Sequence, residues 1–242
     1  MRIVISSGHG LYVRGASGYI DEVDEARKVV DRVAEILNSA GIITTVFHDN
    51  TSHSQSENLS TIVDFHNRQE RDLDVSVHFN CYETTNDPRG VEVLWTSTSG
   101  KPIAVDTSDA ISIAGHFINR GAKERNDLAF LNNTEETAIL IETCFVDSKA
   151  DVNNYYLHFE SICSAIAEAI SGETIPGQPP SPPEEPSWRP PETVPVENRP
   201  TLSEGDEGQD VIDLQMMLPR FGVSNVDGDF GSYTDSEVRD YQ

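Results

Sequence analysis

Cysteine is rare in this chain of 242 residues, which contains only Cys81, Cys144 and Cys163. The three are widely spaced and form no CxxC pair, so the sequence predicts neither a disulfide framework nor a zinc knot built from thiolates. Reduced thiols are typical of proteins that fold in a cytoplasm, and we expect that origin here.

Basic residues and long apolar runs are also scarce. The chain has 17 Lys and Arg against 41 Asp and Glu, a net charge of −24. Phosphate binding requires a basic surface, so this charge argues against nucleic acid and anionic membranes as partners. No apolar run approaches the roughly 20 residues of a membrane helix, which excludes membrane insertion. The apolar stretch at residues 3–5 is too short for a secretory signal, and we expect no signal peptide.

Proline is concentrated in one segment, which divides the chain. Residues 173–200 contain ten prolines, and proline favours neither helix nor inner strand. This segment is typical of an extended, semi-rigid linker, with a ligand for a proline-recognition domain as the alternative. We therefore expect a domain at 1–172, a linker at 173–200 and a small module at 201–242.

Apolar periodicity before the linker alternates between strand and helix. The pattern predicts strands at 2–6, 43–48, 73–79, 90–95 and 138–146, and helices at 22–40, 56–67, around 110–118 and at 156–170. Such alternation is typical of an α/β domain with a mostly parallel sheet and helices on both faces.

Titratable residues stand where predicted strands end, the place where open α/β sheets bind ligands. His9 and His78 each end a strand, and Glu142 lies inside the apolar run AILIETCFV. Glu22 and Glu25 lie in the first turn of the first predicted helix. The ordinary role of one of them is a favourable interaction between its negative charge and the helix dipole. Two histidines and a carboxylate suit a catalytic zinc ion, and a further carboxylate serves as the base. The blander alternative for Glu142 is a salt bridge to an arginine.

The remaining histidines have simpler interpretations. His48 and His53 lie in a polar loop and are predicted at the surface. His66, His116 and His158 are predicted to pack against helices or to be solvated.

Ordered motifs in residues 1–171 resemble those of one enzyme family. They are ISSGHG, YIDEVDEARKVV, DVSVHFN, GVEVLW, NRGAK and TAILIETCFVD. This set is similar to the zinc-dependent N-acetylmuramoyl-L-alanine amidases, in particular the phage endolysin branch, which the segment DNTSHSQSENLSTIVDFHN also resembles.

The resemblance implies a twisted mixed sheet between helices and a Zn²⁺ ion on His9, Glu22 and His78. Spacing from the helix end only narrowly favours Glu22 over Glu25. Glu142 matches the family's catalytic carboxylate. The implied reaction is hydrolysis of the amide between N-acetylmuramic acid and L-alanine in peptidoglycan. Asn80 is a further candidate, either for substrate binding or for bracing the strand of His78.

The segment 201–242 resembles a small helical peptidoglycan-binding module, with DGDFG as its most specific motif. Modules of that family are longer, so we expect an incomplete one. The implied setting is a phage endolysin that stays in the host cytoplasm until release to the cell wall. The alternatives are a bacterial autolysin of the same chemistry, a catalytically dead wall-binding protein, and a zinc peptidase that cuts within the stem peptide.

Overall fold

The computed structural model describes residues 1–175, and the predicted linker and the predicted C-terminal module lie outside these residues. The described strands are β1 (Arg2–Ser7), β2 (Ile43–Phe47), β3 (Leu73–Asn80), β4 (Val91–Trp95), β5 (Asn119–Glu124) and β6 (Thr137–Phe145). The described helices are α1 (Glu22–Ser39), α2 (Gln55–Asn67), α3 (Gly100–Ala114), α4 (Ala129–Asn133), α5 (Lys149–Leu157) and α6 (Phe159–Ser171).

The strands form one mixed sheet in the order β2-β1-β3-β6-β4-β5. β2, β1, β3 and β6 run parallel, β4 is antiparallel to β6, and β5 is parallel to β4. The predicted α/β class, with a mostly parallel sheet flanked by helices, is therefore confirmed.

Each face of the sheet has its own apolar cluster, because side chains alternate along a strand. The larger cluster packs the strands against α1, α3 and α6, with Val29, Val33 and Ile166 fully buried. The smaller cluster lies under α2 and α4 and includes Ile62 and Phe130. This second helix layer covers its face less completely, and the cleft described below opens there.

Several predicted boundaries differ from the structure. The helix expected around residues 110–118 runs instead over Gly100–Ala114, and the chain leaves it through His116 in a left-handed conformation at φ 53°. The helix expected at 156–170 corresponds to α6, and only the last two residues of α5 fall within the predicted bounds. β5 and α4 were not predicted, because β5 is a polar edge strand (NRGAKE) and α4 has only five residues.

Among residues 1–175, no helix has both the length and the hydropathy that crossing a membrane requires.

Candidate metal centre and catalytic cleft

The ends of β1 and β3 and the start of α1 bring His9, Glu22 and His78 together. Each residue offers a ligand atom, and these atoms lie within 4.8 Å of one another. Oε2 of Glu22 is 3.5 Å from Nε2 of His9, and Oε1 of Glu22 accepts a hydrogen bond of 3.0 Å from Nδ1 of His78. The side chains of His9, Glu22 and His78 are 22%, 4% and 16% exposed. The three residues that the sequence suggested as metal ligands thus meet at one point.

Local structure fixes Glu22 at this point. Asp21 caps α1 by accepting hydrogen bonds from the backbone N–H groups of Val23 and Asp24, so Glu22 begins the helix. The Glu22 carboxylate also accepts hydrogen bonds from the backbone N–H groups of Ala16 and Phe79, at 2.6 and 3.1 Å. These contacts orient both carboxylate oxygens between the two histidines.

Glu25, the alternative to Glu22, has a different environment. Its carboxylate accepts hydrogen bonds from the hydroxyls of Tyr155 and Tyr156, at 3.0 and 3.2 Å, and from Lys28 at 2.8 Å. The buried carboxylate of Glu25 is therefore paired beneath α1, on the side of α5, and is not part of the histidine cluster.

Two glycines leave room for the side chains of this cluster. A Cβ atom at Gly8 would overlap the imidazole of His78. A Cβ atom at Gly15, where φ is +46°, would overlap the Glu22 carboxylate and the His9 ring. Two imidazoles and one carboxylate with ligand atoms this close together are a donor set typical of catalytic zinc. The residues present therefore fit a zinc ion.

Gly10, the other glycine beside His9, packs against residues outside the cluster. A Cβ atom there would press on Asn58 and Asp49. The backbone oxygen of Asp49 accepts a hydrogen bond from Leu11 N–H at 2.8 Å, and its carboxylate accepts one from Asn58 at 2.9 Å. Asp49 therefore anchors the loop that follows His9.

The cluster's pKa values respond to burial and to mutual charge. Burial lowers the pKa of His9, and the neighbouring His78 lowers it further. Burial also opposes protonation of His78, but the hydrogen bond and the charge of Glu22 hold the pKa of His78 above its usual range. For Glu22, burial favours the neutral acid, yet contact with His78 holds its pKa below the ordinary value.

Glu142 lies beside the cluster on β6, in register with His78 on β3. Among the described residues, its Oε2 atom is buried and has no hydrogen-bond partner. Burial raises the pKa of Glu142 to about 7. No described arginine or lysine forms an ion pair with it, so the salt bridge considered from the sequence is absent from residues 1–175. The Glu142 carboxyl group is therefore buried without an ion-pair partner among the described residues.

Asn80 turns away from the cluster. Its amide donates to Oε1 of Glu92 at 3.1 Å, and its side-chain oxygen accepts from the backbone N–H of Cys81. Glu92 also accepts hydrogen bonds from Arg120 and Lys123, at 2.7 and 2.5 Å. These contacts favour the bracing role for Asn80; its part in substrate binding stays a prediction.

A cleft of 410 Å³ runs from the cluster across the face covered by α2 and α4. His9, His78 and Glu142 line one part of it. Its remaining lining is mostly apolar, from Leu59, Ile62, Leu94, Leu128, Ala129, Phe130 and Leu140, with Gly8, Gln55, Asn58, Ser76, Arg125 and Asp127 as further contributors. The sequence did not indicate Arg125 or Asp127, because they follow the unpredicted strand β5.

The other histidines have separate contacts. His48, predicted at the surface, is half-buried between Ser7 and Asp31, at 3.0 and 3.1 Å. His53 is exposed and stacks on Tyr12, with 4.6 Å between ring centroids.

Three histidines were predicted to pack or to be solvated. His66 is fully buried and hydrogen-bonded, which confirms the packing alternative for this residue. His116 and His158 lie against each other, 4.5 Å between ring centroids.

Comparison with known proteins defines the class. The model of the N-acetylmuramoyl-L-alanine amidase family matches residues 3–172, and the chain belongs to this family. Residues 207–242 match the family described as putative peptidoglycan binding domain.

Individual relatives agree with the family. The catalytic domain of the CD27L endolysin targeting Clostridia difficile is 27% identical, with a TM-score of 0.66 over 72% of this chain and 99% of that one. The amidase AmiC2 of Nostoc punctiforme is 25% identical, with a TM-score of 0.62 over 71% of this chain and 96% of that one. An uncharacterized 38.4 kDa protein of Clostridium perfringens is 33% identical over 72% of this chain and 54% of its own length. The chain thus spans about half the length of the curated relatives it matches.

Proposed function

We propose that the chain is a zinc-dependent N-acetylmuramoyl-L-alanine amidase that hydrolyses the amide between N-acetylmuramic acid and L-alanine in bacterial peptidoglycan. The observation that carries this proposal is the partnerless Oε2 of Glu142 in a cleft shared with His9 and His78. Membership of the amidase family supports the choice of substrate.

His9, Glu22 and His78 would hold the zinc ion. When bound, zinc supplies Lewis-acid activation of a carbonyl group and of water. Glu142 accepts the proton of the attacking water and returns it to the departing amine of L-alanine, which general acid–base catalysis requires.

We further propose that the protein is a phage endolysin that acts at the cell wall during host lysis. The likeness to the catalytic domain of an endolysin supports this role. The match of residues 207–242 to a peptidoglycan-binding family supports attachment to the wall. Such attachment raises the local concentration of substrate without tighter contacts in the catalytic cleft.

Of the three alternatives, two predict different products. A bacterial autolysin would release the same products, whereas a zinc peptidase would cut inside the stem peptide. A catalytically dead wall-binding protein would release nothing. The complete set of His9, Glu22, His78 and Glu142 favours an active enzyme.

The test is a comparison of wild type with Glu142→Gln on purified cell walls. Loss of the proton-exchanging carboxyl should lower kcat by about 100- to 10,000-fold, while zinc content stays at the wild-type level. Turbidity with and without a chelator, mass spectrometry of the fragments and elemental analysis are the measurements. Amidase action leaves free lactyl groups on muramic acid and new N-terminal alanine.

Glu136→Gln is the matched control, because Glu136 is exposed just before β6. It should behave as wild type. Full activity of Glu142→Gln would contradict the mechanism, and products with an intact muramoyl–alanine bond would contradict the substrate.

A further inference from the structure

The cleft contains a single permanent positive charge among the described residues that line it. That charge is Arg125, and the acidic residues of the lining are Asp127 and Glu142. Arg125 follows β5, and its backbone N–H donates to the oxygen of Trp95 at 2.8 Å. The cleft is therefore apolar along its floor, with the metal cluster at one position and a guanidinium at another.

Asp127 holds the guanidinium by one edge. Nε and Nη2 of Arg125 donate to the two carboxylate oxygens of Asp127 at 2.8 and 2.9 Å. A guanidinium has five N–H donors, and Nη1 donates to no residue in 1–175, so within the described part of the chain this edge is left for a ligand. The Arg125 side chain is 42% exposed, so a ligand in the cleft can reach this edge.

Arg125 lines the same cleft as the proposed catalytic carboxyl of Glu142, although β4 separates β6 from β5 in the sheet. Glu142 protonates the leaving amine in the proposed reaction, so the group attached to that nitrogen lies on the side of Glu142. That group is the stem peptide, which would therefore bind in the part of the cleft between Glu142 and Arg125.

The chemistry of the stem supplies a partner for the guanidinium. L-Alanine is followed by a D-glutamate that is linked through its side-chain carboxyl, so its α-carboxyl is free or amidated. Backbone dimensions place this group about 6 Å from the scissile amide. The alanine methyl and the methylene groups of glutamate suit an apolar floor, and a carboxylate suits a guanidinium.

We infer that Arg125 is a specificity-determining residue that binds the α-carboxylate of the second stem residue and makes the enzyme favour the free acid over the amidated form. This inference rests on the proposed amidase function. Asp127 orients the guanidinium, but its negative charge also weakens the attraction for a second carboxylate.

The experiment measures kcat and KM on two synthetic N-acetylmuramoyl peptides that differ only in this group, as free acid or as amide. Arg125→Gln should raise KM for the free acid about 10- to 100-fold, the size expected when a charge-assisted hydrogen bond is lost. KM for the amide should rise by a smaller factor, and the effect on KM should exceed that on kcat.

Asp127→Asn is the decisive companion variant. It removes the competing negative charge, so KM for the free acid should fall. Arg68→Gln is the matched control, because Arg68 forms an exposed ion pair with Asp64 on α2 and does not line the cleft. Arg125→Lys, which retains the charge but not the planar fork, replaces Arg125→Gln if the latter fails to fold.

Two results would overturn the inference. The first is an equal rise of KM for both peptides in Arg125→Gln and Asp127→Asn, which means that the ion pair only stabilises a loop. The second is an Arg125→Gln enzyme with the kinetics of wild type. If wild type hydrolyses neither peptide, the proposed function fails and this inference fails with it; in the first two cases only the inference fails.

Discussion

Two clusters of histidine and carboxylate lie on one face of the sheet, and only one of them faces a cleft. In the first, the ligand atoms of His9, Glu22 and His78 lie within 4.8 Å of one another, and both histidines line the cleft. In the second, His66 of α2 donates from Nδ1 to Asp74 at 2.8 Å, and Ser6 lies 3.0 Å from its Nε2. Both clusters draw residues from β3.

The second cluster has the geometry of a serine-hydrolase triad, yet it lacks access. Ser6, His66 and Asp74 are all fully buried, and Arg71 also pairs with Asp74 at 2.8 Å. A catalytic serine must meet its substrate. Ligand types and distances are therefore insufficient to define an active site; open space next to the polar atoms is the further requirement.

The largest expected effect comes from His78→Ala in the first cluster. Loss of one of the three proposed ligands should abolish zinc retention and turnover together, because a metal site needs its full ligand set. Elemental analysis of the purified variant and the turbidity assay measure both quantities.

His53→Ala provides the control, since His53 is exposed and belongs to neither cluster. A wild-type zinc content in His78→Ala would show that His78 is not a zinc ligand. The proposed difference between the two clusters would then be wrong.

A medium effect is expected for His66→Asn in the second cluster. The variant loses buried hydrogen bonds to Ser6 and Asp74, which should cost about 1–3 kcal/mol of unfolding free energy. Turnover per folded molecule should stay at the wild-type level. Denaturant unfolding and initial rates are the measurements, and a large loss of kcat in a folded variant would show that the second cluster takes part in catalysis.

The same histidine gives a pH dependence. Burial lowers the pKa of His66 from 6.5, against the opposing influence of Asp74 and with a contribution from Arg71. Below the ordinary pKa, the unfolded chain therefore binds a proton that the folded protein does not. The neutral ring of His66 therefore contributes its full share of the unfolding free energy above the ordinary pKa. This share is lost as the pH falls through the lower pKa that His66 has in the folded protein. The wild type should lose more stability than His66→Asn over this range; equal slopes would contradict the assignment.

The smallest effect is expected for Ser6→Ala. The hydroxyl contributes one buried hydrogen bond to His66, and its removal should cost about 1 kcal/mol. Activity should remain unchanged, because the substrate does not reach this buried serine. Unfolding and turbidity assays on the same preparation test this, and an inactive but folded Ser6→Ala enzyme would reverse the interpretation.

Strongly periodic segments could be predicted from the sequence. The apolar positions of α1 and the run of β6 were found close to their observed bounds, because both elements are buried against the core. β5 was not predicted, because an edge strand with the sequence NRGAKE buries little apolar surface and so has no clear apolar pattern. Most of α5 was also not predicted, since its sequence KADVNNYYL has little apolar periodicity.

The sequence by itself determined the fold class and indicated His9, His78, Glu142 and either Glu22 or Glu25 as candidate site residues, because strand ends, a helix start and an interrupted apolar run are local signals. Only the tertiary structure separated Glu22 from Glu25 and placed Arg125 in the cleft. Those outcomes depend on contacts between segments far apart in the chain, such as Tyr155 with Glu25. The local sequence pattern determines which polar side chains lie at the ends of strands and helices. Tertiary packing determines which of these side chains keep unpaired atoms next to the cleft.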